Sequence, residues 1–590
     1  MTFPRIVVSL CGGGGAGRFA SPSHEQACSE TDIHFLPSCS SLRAVASVSS
    51  LSAPAVGAST TNRLCDRLAV TVLVAVAAIA LMTFRDYGLG WDDYTHAEYG
   101  DRLLAFYGSG FADRRALSFV NLYAYGGGFD MLAALAAKAL PFTLFETRRL
   151  MGAAIGLVGL IATWRIGRRI GGPLTGLMAL VLLATSPLYL GHMFMNAKDA
   201  PFAAAMAIVL LGLVRVFEIY PRLTPATGAL TGTGFGLSIG SRIMGGFAVV
   251  DFAVALAMLG LIEVRAKGLR TAAMRLAGFF LRLLPVVVLA YAVMALVWPW
   301  SVIDPLNPIR AVAYFSHFFE KPWRELFAGQ LIPVTEMPGS YVPVLLALQL
   351  PEIFLGLALA GGVGAAVAIC RPGLPARRRV ILLTVVLAAT LPILVTVLAK
   401  PAMYNGIRHF VFVLPPLAVL GGLGAAWLMA PLRRHAYWLA AAIMGVGIAL
   451  PVVEMVRLHP YEYTYFNQLA GGVAGTRGSY MLDYWGLSFK QASRALASWL
   501  TERAEHKPAD RRWKLAVCGP HRSPQVELGA DFETTWDPQG ADFALMLGEF
   551  YCATFDAPIV AEVIREGVVY ARVYDIRGRS YTTLLTTPAP

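Results

Sequence analysis

Two adjacent carboxylates, Asp92 and Asp93, stand in the run Trp91-Asp92-Asp93-Tyr94, just after the first long apolar segment. A carboxylate at the mouth of a membrane helix is costly to hold near hydrocarbon, so either chemistry or helix capping has to account for the pair. The chemistry open to such a group is general-base catalysis, taking the proton of an attacking hydroxyl. A second acidic position follows in Asn196-Ala197-Lys198-Asp199-Ala200-Pro201-Phe202. There Lys198 supplies a cation, and Asp199 could orient an acceptor, help hold a divalent ion, or simply begin a helix, since Asp-Ala-Pro suits a helix start. Arg242 follows Gly232-x-x-x-Gly236-x-x-x-Gly240, and Arg408-His409 open a later apolar segment. Fixed cations of this kind stabilise the charge that builds on a departing phosphate. The competing readings are a snorkelling Lys198 and a satisfied interfacial His409.

The elements that must position these groups are membrane helices. The chain has 590 residues, 56% hydrophobic and 15% charged, whereas a soluble domain carries about 25% charge. Its mean hydropathy is +0.58. Hydropathy places about eleven spans, near 68–85, 149–168, 173–190, 200–218, 226–241, 245–264, 278–299, 343–370, 379–399, 408–430 and 436–456. The segment 129–140 is too short to span and reads as interfacial or re-entrant. The net charge of +12 does not point to nucleic acid, because most Arg and Lys lie in short connections between apolar runs. Arg63 and Arg67, then Arg165, Arg168 and Arg169, Arg215 and Arg222, the 265–275 group, the 371–379 group, and Arg433 and Arg434 all fall on one side. The positive-inside rule makes that side cytoplasmic, with the N-terminus inside and the C-terminal region outside. Asp92, Asp93, Lys198, Asp199, Arg242, Arg408 and His409 then share the outer face with the long 298–341 connection and the 459–485 segment.

Residues 1–62 are rich in Ser, Ala and Gly without helical periodicity and read as a disordered tail. Residues 63–485 form the membrane domain. Residues 486–590 read as a soluble α/β domain, with a helix over 490–503 and strands near 513–518, 543–548 and 568–575. Cys518 and Cys552 lie in that domain and would pair in an oxidising compartment. Tyr461, Tyr463, Tyr465, Trp298 and Trp300 are explained most simply as an interfacial aromatic belt.

Taken in order, these features resemble the GT-C superfamily of integral-membrane glycosyltransferases, in particular family 39 and its relatives, the protein O-mannosyltransferases and the aminoarabinose transferase that modifies lipid A. The resemblance is carried by Trp91-Asp92-Asp93 after the first span, the 196–202 segment after the third, and a large outer loop after the seventh. Gly406-Ile407-Arg408-His409, His459-Pro460-Tyr461-Glu462-Tyr463 and Asp483-Tyr484-Trp485-Gly486 complete it. It covers roughly residues 65–486. It implies a GT-C fold in a bacterial cytoplasmic membrane and an inverting transfer of one sugar from a polyprenyl-phosphate donor to an extracytoplasmic acceptor. Asp92 would be the base and Asp93 its neighbour or sugar-binding partner, with Asp199, Lys198, Arg242, Arg408 and His409 around the substrates. The rival expectations are a flippase or transporter of lipid-linked saccharides, whose internal repeats are not visible here, and a membrane scaffold.

Overall fold

The computed structural model describes residues 56–316 and 323–585. The expected tail, apart from its last few residues, lies outside the described residues. The rest is a multi-pass helical membrane protein with a small C-terminal sheet. Among the described residues, nine helices are long and apolar enough to cross a membrane. The pair Pro173–Ala184 and Pro187–Met195, bent by 63°, makes a tenth if it is one span. The expected eleven is corrected in number at 226–241, while 173–190 is the bent pair and 343–370 keeps one shorter span. Pro225–Ser241 has 17 residues, many of them Gly, Ser or Thr, and is neither long nor apolar enough. Within 343–370 the chain breaks at Leu350-Pro351, where proline withdraws a backbone donor, leaving Tyr341–Gln349 and Glu352–Cys370. The short apolar segment near 129–140 forms the ten-residue helix Gly128–Ala137.

The glycines of Pro225–Ser241 pack on both sides. A Cβ at Gly232 would sit 2.9 Å from the Val286 carbonyl oxygen, one at Gly236 2.6 Å from that of Ala290, and one at Gly234 2.7 Å from Val209 Cα. The helix is therefore wedged between Asp199–Ile219 and Leu269–Val297, backbone against backbone, as small-residue faces allow. We expect Gly236→Ala to lower the thermal midpoint of the detergent-solubilised protein. Gly246→Ala, where a Cβ meets nothing within 4 Å, should leave it unchanged.

Charges sort to the two ends of the helices. In Leu144–Gly171, Arg149 binds Asp93 near one end while Arg168 binds Asp66 near the other, at 2.7 Å. The two arginines are 19 residues apart, about 29 Å along the axis. Arg169 pairs with Glu218 at 2.6 Å, and Arg377 donates to the Glu218 carbonyl. The basic connections picked out from the sequence thus meet one another at the end remote from Asp92. One carboxylate departs from this sorting: Asp251 is buried inside Gly246–Lys267, and its Oδ1 has no hydrogen-bond partner among the described residues.

The long 298–341 connection folds into short helices and a hairpin, β1 (Arg324–Phe327) and β2 (Gln330–Pro333). The C-terminal region adds β3 (Trp513–Cys518), β4 (Phe532–Thr535), β5 (Phe543–Leu547), β6 (Ile559–Arg565) and β7 (Val568–Asp575), ordered β4-β3-β5-β7-β6. β3 runs parallel to both β4 and β5, while β7 is antiparallel to β5 and β6. Cys518 and Cys552 form a disulfide. β4 and β6 were not legible beforehand. β4 is four residues long, and β6 carries an irregular alternation at the sheet edge.

This sheet sits directly on the 459–488 segment. Tyr461, Tyr463 and Tyr465 are buried, which corrects the interfacial-belt expectation. Tyr463 donates to Asp483, and Thr464 bonds the Tyr570 hydroxyl of β7 at 2.7 Å. Trp298 is buried too, its indole N–H donating to the Tyr123 carbonyl. A polar tip that finds a protein partner no longer needs the wet interface.

Candidate active site

Asp92 precedes the helix Asp93–Gly108, and its side chain caps no backbone N–H. The carboxylate instead meets Lys198 Nζ at 3.1 Å, and it keeps 38% of its surface exposed. Burial alone would raise its pKa, but the Lys198, Arg408 and His96 charges outweigh this and hold it well below the usual carboxylate range. Asp92 is therefore ionised, reachable and held by electrostatics, with no backbone bond to hold it.

Asp93 faces the other way. Arg149 grips it through both guanidinium nitrogens at 2.7 and 2.6 Å and also donates to the Gly88 carbonyl. Asp93 further accepts the Gly90 N–H at 2.8 Å. It is buried, as is Arg149, so the pair closes the 88–93 turn from beneath. A second buried set supports it: Asp130 binds His96 Nδ1 at 2.7 Å and Arg148 at 2.6 Å. His96 lies one helical turn beyond Asp92 and its N–H bonds the Asp92 carbonyl.

Asp199 is the first residue of Asp199–Ile219. Helix capping does not occupy it. Asn196 Oδ1 accepts the N–H groups of Lys198 and Asp199, while Asn196 Nδ2 donates to Asp199 Oδ2 at 2.8 Å. Asp199 pairs with Arg242 at 2.6 Å and Arg408 at 3.6 Å. Arg242 is delivered by the end of the glycine-rich helix, and Arg408 by the 3-10 turn Arg408–Val413. The Tyr125 ring lies 5.3 Å from Lys198 Nζ and 5.6 Å from the Arg242 guanidinium. Arg408 lies over Trp485 at 4.8 Å and Tyr404 at 4.9 Å, and the Trp485 carbonyl accepts the Trp91 N–H. Trp485 thereby ties the Asp92 turn to Arg408. His409 packs its ring 5.0 Å from Tyr404.

The cluster thus holds three cations, Lys198, Arg242 and Arg408, against two carboxylates, Asp92 and Asp199. Arg242 Nε and Arg408 Nε and Nη1 are buried and have no hydrogen-bond partner among the described residues. Buried guanidinium donors are seldom left unused, and their planar fork fits phosphate or carboxylate oxygens. Among the described residues no group of three or more His, Cys, Asp and Glu side chains is placed to hold a metal ion.

Sequence reasoning named Asp92, Asp93, Lys198, Asp199, Arg242, Arg408 and His409, and the structure brings all of them together except Asp93, whose carboxylate is turned to Arg149. It missed Arg149, Tyr125 and Trp485 as supports. Arg148 and Arg149 carried one usable signal, a basic pair at the site end of a span, against the charge bias of the other connections. Glu325 of β1 was also missed. It is buried behind Arg408 and accepts the Tyr341 hydroxyl at 3.1 Å and the Gly406 N–H at 3.4 Å. Burial pushes its pKa up to about 7.

Glu549, against which the Leu482 N–H rests, is raised by burial to about 8. It lines a cavity of about 490 Å³ under the sheet, together with Asp483 and Tyr570. A carboxyl raised in the folded state favours folding fully below its ordinary value of 4.5 and progressively less as pH climbs through about 8. The thermal midpoint should therefore fall from about pH 5 to about pH 8 and level off above it, and Glu549→Gln should flatten that decline.

No protein-family model matches this chain, and no curated protein matches it in sequence. Among solved structures it is similar to ArnT from Cupriavidus metallidurans bound to undecaprenyl phosphate, at 16% identity over 85% of this chain and 97% of that one, TM-score 0.44. The apo state of the same ArnT aligns at 16% identity over 86% and 97%, TM-score 0.45. The archaeal oligosaccharyltransferase AglB from Archaeoglobus fulgidus, in complex with an inhibitory peptide and a dolichol-phosphate, aligns at 13% identity over 76% of this chain and 62% of that one, TM-score 0.41.

Proposed function

We propose that this chain is an inverting glycosyltransferase of the GT-C type in a bacterial cytoplasmic membrane, moving one sugar from a polyprenyl-phosphate donor to an extracytoplasmic hydroxyl. The observation that carries the reading is the shared cluster itself: a half-buried, ionised Asp92 paired with Lys198, and Arg242 and Arg408 on Asp199 with guanidinium donors unfilled among the described residues. The acceptor O–H gives its proton to Asp92, and its oxygen bonds the anomeric carbon from the face opposite the phosphate. The anomeric carbon–oxygen bond breaks, and its electron pair leaves with the polyprenyl phosphate. Arg242 and Arg408, with Asp199 setting their positions, receive that charge. Asp93 positions the turn through Arg149. The disulfide and the basic connections at the far end of the helices support an outward-facing site.

In the resting protein Lys198 neutralises the base. When a donor phosphate binds, Lys198 is drawn to it and Asp92 becomes a stronger proton acceptor. The acid limb of the kcat/KM profile, which reports the free enzyme, should accordingly lie below the ordinary aspartate value of about 3.9. Lys198→Met should move that limb upward and lower the rate, read with membranes and a labelled lipid-linked sugar. The reading is tested by the same assay on Asp92→Asn, and by mass analysis of envelope glycans and lipids after deletion of the gene.

The flippase reading has one observation in its favour, the buried Asp251 within a span, whose Oδ1 has no partner among the described residues, since intramembrane carboxylates mark transport paths. Lipid-linked saccharide crossing vesicle membranes with Asp92→Asn, but not with Asp251→Asn, would select it over transfer.

A further inference from the structure

The two residues that bracket the Asp92-Asp93 pair are both large, aromatic and open: Trp91 is 38% and Tyr94 41% exposed. Each meets a residue of the C-terminal domain. Trp91 lies nearly parallel to Trp536, their planes 12° apart and ring centres 6.4 Å apart. The Arg522 guanidinium sits 4.4 Å from the Tyr94 ring centre. Trp536 is 67% exposed, and it is braced by His521 at 3.7 Å between ring centres. Arg522 is exposed as well, and among the described residues it hydrogen-bonds Gln525 in its own helix. Nothing in the packing of the sheet requires a tryptophan at 536, which stands outside the hydrophobic cluster that holds Trp513, Phe532 and Phe543.

We propose that Trp91, Tyr94, Trp536 and Arg522 form the acceptor subsite, and that its occupant is a saccharide ring carrying an anionic group. This rests on the glycosyltransferase reading and extends it. The C–H face of a sugar ring carries slight positive charge and lies well on the negative face of an indole. A ring seated on Trp91 and Trp536 is held by the residue that precedes Asp92 in the chain, at the turn that carries the base. Arg522 adds a charge-assisted contact for a carboxylate or phosphate on that sugar. The C-terminal domain then takes part in choosing the acceptor, and the membrane domain supplies the donor and the base.

The test is binding of full-length, detergent-solubilised protein to an array of neutral oligosaccharides, acidic oligosaccharides and peptides, with undecaprenyl phosphate binding measured alongside. Wild type and Asp92→Asn should hold acidic oligosaccharides equally. Trp536→Ala should weaken that binding by roughly tenfold, about the worth of one aromatic contact, with undecaprenyl phosphate binding unchanged. Arg522→Ala should erase the preference for acidic over neutral sugars. Trp536 and Arg522 are exposed, so neither truncation disturbs the core. Saccharide binding unaffected by Trp536→Ala, or capture of peptides alone, overturns the subsite. Transfer that survives Asp92→Asn overturns the glycosyltransferase mechanism and leaves the binding result standing.

Discussion

Asp92→Asn should reduce sugar transfer by about 10²- to 10⁴-fold, the range a positioned general base supplies, in a protein that folds normally. The side chain makes one ion pair, to Lys198, and caps nothing. Asparagine has nearly the same shape and can still accept a hydrogen bond from Lys198, but it cannot take the acceptor proton. Undecaprenyl phosphate binding should survive, since Arg242 and Arg408 are untouched. The assay is single-turnover transfer from labelled lipid-linked sugar in membranes, normalised to folded protein. Full activity in this variant would remove Asp92 from the mechanism.

Its neighbour should behave in the opposite way. Arg149→Met strips Asp93 of both guanidinium contacts and leaves a buried carboxylate with only the Gly90 N–H. Removing one partner of a buried ion pair costs about 3–5 kcal/mol, so folded yield and thermal midpoint should drop sharply. Asp93→Asn should fall in the same direction, because the Arg149 charge then lacks its counter-ion. Purified protein that does survive should keep much of its transfer rate per folded molecule. Loss of rate with unchanged stability in Asp93→Asn would instead place Asp93 among the reacting groups. Two consecutive acids thus separate into one with a kinetic phenotype and one with a stability phenotype.

How far the sequence reached depends on what kind of force set each feature. Apolar length alone marks a span, so most helices were legible from hydropathy. The miscount came in the glycine-rich 225–241 helix, and Leu350-Pro351 shifted the start of a span without removing it. Charge in the short connections marked the ends of the helices, and with them the set Asp92, Lys198, Asp199, Arg242, Arg408 and His409. What could not be read was direction. Asp92 and Asp93 are chemically identical neighbours, and one turn of chain points the first at Lys198 and the second at Arg149.

The sequence by itself therefore determined that the protein is membrane-embedded, that its unusual polar residues gather at one end of the helices, and that a small α/β unit follows. Each of these follows from local composition and period. Only the tertiary structure decided which acid faces Lys198 and which is locked to Arg149, which guanidinium donors are left over, and that Trp536 and Arg522 stand against Trp91 and Tyr94. Those outcomes depend on contacts between segments hundreds of residues apart, and no local pattern encodes the meeting of one distant side chain with another.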